Sequence, residues 1–292
     1  MVIQENVCLA NKTTMKIGGN VKLFYVPETE NELIDIAQTI YDSNERLLIL
    51  SGGSNLLIND EKCFEKVIYM SSACLEMKEL DNNKFYIGAS NRIQKVISFV
   101  NARNHGGFES LIGLPAMFGG IIYMNAGIGG KGNSLFTISD FIDSVKVWDL
   151  YEKKLMELPV EHCEFSHRHS IFHNQRYVIL GATIQCKKIS CEESKKIKTE
   201  RIKFCREKFE YGNGCFGTCF SVANYKILKM VSSYDKFRKI GKGRVTFGEN
   251  NSNWLVNHGS GTYKDAIKLI NTCKLLHRVC KKNIKCEVII WD

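Results

Sequence analysis

The sequence predicts an α+β fold in three segments, and three observations point to it. Short apolar stretches of strand period alternate with stretches of helical period. Two glycine clusters, SGGSN at 51–55 and FGG at 118–120, each interrupt strongly apolar surroundings. A charged stretch from Cys191 to Lys208 sets off a C-terminal segment with strands and a helix of its own.

Taken in order, KTTMKIGGNVKLFYVPET predicts a Gly-Gly turn and a strand over Val21–Val26. ENELIDIAQTIYDSN carries Leu33, Ile36, Ala37 and Ile40 at helical spacing. RLLILSGGSNLLIND reads as strand, turn, strand, and CFEKVIYMS as a further strand. In KFYIGASNRIQKVISFVNARN a strand passes through the turn Gly88–Asn91 into an amphipathic helix. The stretch from Gly106 to Asp149 is rich in glycine yet apolar, and strands follow at SVKVWDL, KKLMELP and RYVILGATIQCKK. After the charged helix come a Gly-rich entry (YGNGCFGTCFSV), a strand NWLVN, a helix DAIKLINTCKLLHRVCKK and a last strand IKCEVIIW. The expected boundaries are 1–75, 76–190 and 191–292.

Composition narrows the function classes. With 292 residues, 44% hydrophobic and 24% charged, the chain reads as a soluble globular protein with a sizeable core. No apolar run is long enough to span a bilayer, and the N-terminus lacks a basic stretch before an apolar core, so a cytoplasmic protein without a membrane partner is expected. Twelve cysteines are scattered without a CxxC, and Cys215 and Cys219 have no matching second pair, which predicts free thiols and no metal. The net charge is +9, and in the most highly charged stretch, residues 189–212, seven lysines and arginines mix with five glutamates. That is a solvated helix face and not a nucleic-acid stripe, while the surplus suits an anionic small molecule or NADPH.

The glycine clusters carry the chemistry. Glycines at a strand end permit positive φ and close backbone approach, and successive N–H groups there form an anion nest. No GK[ST] follows SGGSN and no GxGxxG opens a helix, so neither a Walker loop nor a dinucleotide fingerprint is present. For SGGSN alone, a hairpin turn explains the residues as simply. Gly119-Gly120, followed by Asn125-Ala126-Gly127, changes the balance: two glycine loops with amide side chains are what a diphosphate held by backbone N–H groups needs.

At these residues the chain resembles the enolpyruvyl-UDP-GlcNAc reductases, the UDP-N-acetylmuramate dehydrogenase family. LILSGGSNLLIND resembles that family's GxGSNxLxxD, and GFESLIGLPAMFGGIIYMNAG its GxExLxGIPGTVGGAxxMNAG. TTMKIGGNVKLFYVPET is similar to TxxxIGGxAxxxxxP, CEFSHRHSIF to xxFxYRxSxF, GTCF to GSxF, and NWLVNHGSGTYKDAIKLI to NFIVNxGxATxxDxxxLI. The motifs run in family order from residue 13 nearly to the C-terminus. The resemblance implies a vanillyl-alcohol-oxidase-type FAD domain in two α+β parts and a third, substrate-binding α+β domain. It implies non-covalent FAD between the first two parts, its diphosphate near Gly52, Gly53, Ser54 and Asn55 and near Gly119, Gly120, Asn125, Ala126 and Gly127. NADPH as hydride donor and a nucleotide-sugar substrate in peptidoglycan precursor synthesis are implied too, in a monomer.

The same resemblance assigns catalytic residues. Arg168 matches the arginine that steadies the enediolate-like intermediate, with His167 where the family has Tyr. Thr218 stands where the proton-donating Ser of GSxF is found, and the neighbouring Cys219 is a second candidate. The family ending LExE-[VI]xxIG fits IKCEVIIWD in two registers: one makes Glu287 catalytic, the other puts Ile289 at that place. Together with Met117 for Thr and Asn251 for His, this keeps a second reading open: a descendant that binds FAD or the nucleotide sugar without efficient catalysis. A covalent flavin oxidase fits less well, since SGGSN contains no His.

Overall fold

The threonine hydroxyl of Thr29 accepts the Glu32 N–H at 3.2 Å and starts α1 (Glu30–Asp42). This helix buries Leu33, Ile34, Ala37 and Ile40, one face of the spacing seen in the sequence. The computed structural model describes residues 1–130, 133–208 and 213–292, with the backbone alone at 129, 130 and 133–135. Residues 211 and 212, the first two of the Gly-rich entry, lie outside the described residues. The architecture is α+β, in two compact units. The first takes Met1–Glu5, Leu23–Gly52 and Lys66–Phe204; the second takes Asn6–Lys22, Gly53–Glu65 and Cys205–Asp292.

The first unit is built on a five-stranded antiparallel sheet in the order Lys154–Pro159, Ile142–Asp149, Tyr177–Gln185, Lys84–Gly88, Met77–Glu79. Phe85, Ile87, Val145, Val147, Ala182 and Ile184 pack with Ile93, Val96, Ile97 and Val100 of α2 (Ile93–Asn101) and with Phe118, Ile121 and Ile122 of α3 (Phe118–Tyr123). A second core joins α1 to Val178 and Leu180. Residues 178, 180, 182 and 184 would share one sheet face if the period of two ran unbroken. A register shift pairs Lys146 with Gly181 but Val147 with Ile179, leaving Leu180 as the extra residue of a bulge. The bulge lets one strand feed two cores. The charged stretch forms α4 (Cys191–Lys208), as its sequence predicts.

The second unit has α5 (Tyr225–Arg238) and α6 (Tyr263–Val279) against the three-stranded sheet Gly214–Thr218, Trp254–Asn257, Val245–Phe247. Thr262 and Asp265 form a capping box at the start of α6. Two expectations need correction. The strands flanking Ser51–Asn55 do not pair as a hairpin: in the first unit Ile49-Leu50 runs parallel to Ile68-Tyr69, and in the second Leu56–Ile58 runs parallel to Ile289–Trp291. The ending IKCEVIIW is two short strands, Lys285–Cys286 and Ile289–Trp291, with a bend at Val288 between them. Each short run finds its partner far along the chain, which local pattern cannot show.

All twelve cysteines are free thiols, and Cys8, Cys63, Cys191 and Cys280 are exposed. Burial pushes Cys74, Cys163, Cys186 and Cys273 up to about 12. Among the described residues no group of three His, Cys, Asp or Glu gathers to hold a metal, and no helix is long and apolar enough to cross a membrane.

Asp149 closes the first unit's sheet electrostatically. Its buried carboxylate accepts two bonds from Arg176 Nε at 3.0 and 2.9 Å and one from Nη2 at 2.6 Å. Burial pushes this carboxyl up, but Arg176 and the N–H groups of Glu152 and Tyr151 outweigh it and hold the group below the usual carboxylate range. The folded pKa thus lies below the unfolded one. The stabilisation is complete above about pH 4 and is lost as pH falls through the folded value. Asp149→Asn should cost about 2–3 kcal/mol in urea unfolding at pH 7, and the gap to wild type should close as pH falls below about 4.

Candidate functional site

In the first unit the two glycine clusters meet. A Cβ on Gly52 would stand 2.9 Å from the Pro115 carbonyl oxygen and 3.1 Å from the Ala116 Cα, so backbone packs on backbone. A Cβ on Gly119 would meet Ala89 Cβ at 2.9 Å, and the Gly119 N–H donates to the Ala89 carbonyl at 2.9 Å. At Gly120 an added Cβ would meet only the Ser51 side chain, 3.2 Å from Oγ. That Oγ is buried and has no hydrogen-bond partner among the described residues. A buried hydroxyl left over beside two bare backbones fits a group rich in acceptor oxygens, such as a diphosphate.

Asn125, Ala126 and Gly127 form the turn after α3, with Asn125 in the left-handed region at φ 42°. The Ala126 N–H donates to the Ile121 carbonyl, and its own carbonyl accepts from Ile138. Asn125 Nδ2 donates to the Ser166 carbonyl at 3.1 Å and its Oδ1 accepts the Ser139 N–H at 3.2 Å. Both ends of this amide are therefore engaged within the chain. Arg168 sits near the tip of a tight turn in which Ser166 and His169 exchange backbone bonds of 3.0 and 3.2 Å. Its φ is 56°, uncommon for a side chain of this size, and Nη2 reaches the Gly127 carbonyl at 3.2 Å. The candidate cofactor turn and the candidate catalytic arginine thus form one cluster.

The second unit brings the other candidates together. Thr218 ends its strand opposite Trp254, whose indole N–H donates to Thr218 Oγ1 at 3.3 Å. An indole can only donate, so this bond uses an oxygen lone pair and does not spend the hydroxyl proton. Cys219 is fully buried in the core of the unit, and burial pushes its thiol well above the ordinary value; Thr218 is half-buried. Cys286, hydrogen-bonded to Cys219, is held down to about 7. The Glu287 N–H donates to the Cys219 carbonyl at 3.0 Å, which puts Glu287 one residue across from Thr218. Asn55 brackets the same segment: Nδ2 donates to the Glu287 carbonyl at 2.9 Å, and its own carbonyl accepts the Ile289 N–H at 3.1 Å.

Gly53 also belongs to this unit. It has φ 61°, and a Cβ there would lie 2.3 Å from the Lys12 carbonyl oxygen. Its glycine is thus demanded by the fold itself. Ser54 is half-buried. Asn251 accepts a short bond from the Tyr225 hydroxyl and the Asn253 N–H at 2.9 Å.

Residues 21–154 match the FAD binding domain family. The reductase named UDP-N-acetylenolpyruvoylglucosamine reductase from Bacillus subtilis (strain 168) is 28% identical over 276 residues, covering 93% of this chain and 88% of its own. Its namesake from Fusobacterium nucleatum is 25% identical, over 94% of this chain and 93% of its own. The one from Caldanaerobacter subterraneus is 26% identical, over 97% and 90%. The chain is similar to the UDP-N-acetylenolpyruvoylglucosamine reductases over nearly its whole length, and it is an FAD-dependent reductase. The crystal structure of the Thermus caldophilus reductase superposes with a TM-score of 0.74 at 21% identity, covering 100% of both chains, so the two share a fold. That fold is the vanillyl-alcohol-oxidase-type FAD domain with its C-terminal α+β addition.

Ser51, Ser170 and Trp254 were not singled out by the sequence. Ser51 is the first residue of SGGSN, and a hydroxyl beside a glycine pair was a usable signal. Trp254 lies 36 residues from Thr218 and left none. Since Gly53 is fixed by the fold, Gly120 is the better probe of the glycine cluster. Gly120→Asp adds a carboxylate at a position where the new Cβ meets only the Ser51 side chain. The variant should keep its melting temperature within about 2 °C of wild type, yet lose FAD on gel filtration, read as the ratio of absorbance at 450 to 280 nm. Retention of full flavin would place the diphosphate elsewhere.

Proposed function

We propose that this protein reduces UDP-N-acetylglucosamine enolpyruvate to UDP-N-acetylmuramate with NADPH, using non-covalent FAD, as a cytoplasmic monomer in peptidoglycan precursor synthesis. The observation that carries this reading is the meeting of Gly52 with Pro115–Gly120 around the unpartnered Ser51 hydroxyl. The two loops are far apart in sequence; packing against backbone and against Ala89 accounts for Gly52 and Gly119, while the open side of Gly120 and the leftover Ser51 hydroxyl are what a ligand would account for.

When bound, FAD would supply hydride transfer from NADPH to the enolpyruvyl double bond. Gly52, Gly120 and Ser51 would hold its diphosphate, beside Gly119, with Gly53, Ser54 and Asn55 continuing the same loop. Negative charge develops on the substrate carboxylate as the bond is reduced, and the Arg168 guanidinium stabilises it. The carbon next to that carboxylate then takes a proton from the Thr218 hydroxyl. The Trp254 N–H on Oγ1 favours this, because a donor aimed at the oxygen stabilises the alkoxide left behind. Glu287, whose backbone is fixed by Cys219 and Asn55, is the acid–base partner of this step.

The test separates the two half-reactions anaerobically. Wild type should be bleached at 450 nm by NADPH and recover colour on addition of the enolpyruvyl sugar. Thr218→Ala and Glu287→Gln should be bleached at nearly the wild-type rate and recover about 10² times more slowly. Protein that neither carries nor takes up flavin sinks the proposal. Flavin that is reduced but never reoxidised by the sugar favours a ligand-keeping descendant. Recovery untouched by Glu287→Gln removes that residue from the step.

A further inference from the structure

We propose that Asn125 and Ser170 are positioning residues that aim Arg168 by clamping its turn to the turn after α3. This rests on the reading that Arg168 serves the reductase reaction. The clamp has three hydrogen bonds between the two turns: Asn125 Nδ2 to the Ser166 carbonyl at 3.1 Å, Ser170 Oγ to the Tyr123 carbonyl at 2.7 Å, and Arg168 Nη2 to the Gly127 carbonyl at 3.2 Å. Rings stack across the same junction. His173 lies 4.1 Å from Tyr123 and 4.9 Å from His169, the latter pair within 10° of parallel.

Burial makes the clamp stiff. Asn125 is 3% exposed and Ser170 is fully buried, so removing either side chain leaves a polar partner in a dry place. The Asn125 amide is committed at both ends, since Oδ1 accepts the Ser139 N–H at 3.2 Å. The turn it holds needs holding. Arg168 is in the left-handed region, a conformation that a long side chain keeps only where its surroundings enforce it. A free turn would relax Arg168 toward negative φ and swing the guanidinium away from the direction it now has. Each pin thus acts on the reaction through Arg168, with no contact of its own to the reacting atoms.

The experiment compares Asn125→Ala, Ser170→Ala and each combined with Arg168→Lys, in the FAD-loaded protein. Hydrogen exchange of the peptide spanning residues 164–171 should speed up about tenfold in either single variant, because the Ser166 and His169 amides close the turn. Exchange in the sheet of the same unit should not change. Reoxidation of the reduced flavin by the enolpyruvyl sugar should slow about tenfold, with KM for NADPH and the rate of flavin reduction unaltered. In the Arg168→Lys background, removing either pin should cost less than about twofold more, since both changes act through one side chain. Where Asn125→Ala fails to fold, Asn125→Ser keeps a small polar side chain in the site but is too short to hold the Ser166 carbonyl, and should show the same effects. Unchanged exchange in 164–171, equal slowing of both half-reactions, or a full extra loss in the Arg168→Lys background would each overturn the clamp. A wild type that never reoxidises with the sugar overturns the proposed reaction instead, and the exchange arm still decides whether Asn125 and Ser170 hold the turn.

Discussion

The first unit depends on Gly52 lying bare against the backbone of Pro115–Met117. Two main chains at this separation leave no room for a methyl group, so the site is defined by what it excludes. The contact is also anchored. Ile93 N–H donates to the Ala116 carbonyl at 3.1 Å, and Gly119 donates to Ala89, whose own N–H donates to Leu180 at 2.9 Å. Leu180 is the bulged residue of the central strand. The glycine-rich segment therefore takes its position from the sheet through a short line of backbone bonds, and not from side-chain packing that could relax.

In the second unit the same economy appears with an amide in place of a glycine. Asn253 Nδ2 donates to the Phe220 carbonyl at 2.8 Å and its Oδ1 accepts the Phe220 N–H at 3.0 Å, a side chain imitating a neighbouring strand. The Cys219 N–H donates to the Asn253 carbonyl, and the Cys219 carbonyl takes the Glu287 N–H. Thr218 and Glu287 are held by this ladder through their backbones.

Much of this was legible. The period of α1, the amphipathic turn into α2 and the charged α4 are local, and local pattern reports them well. The glycine clusters were legible as unusual, because apolar strands do not spend glycines without a backbone reason. What the sequence could not carry was partnership. Leu48–Asp60 reads as a hairpin, yet its two strands pair with Ile68-Tyr69 and with Ile289–Trp291, a choice set by tertiary packing. An unbroken last strand would put Glu287 and Ile289 on one face, but the bend at Val288 interrupts that alternation. Asn125 and Asn55 read as ligand donors by type. Their side chains also bond to the backbone at Ser166 and at Glu287, partners 41 and 232 positions away.

The bracket from Asn55 to Glu287 also has a bearing on how the chain matures at the ribosome. The first unit is complete once Phe204 has been made, and it can condense while synthesis continues. The second unit has no such freedom. Leu56–Ile58 must wait, unpaired, until Ile289–Trp291 emerges more than two hundred residues later. Pairing over that separation carries a large loop-closure cost and is slow. An early apolar strand, Leu-Leu-Ile, is thus exposed until that partner is made. Nascent chains that stall before Ile289 hold a folded first unit and a sticky, half-built second one, the form that a chaperone is suited to shield.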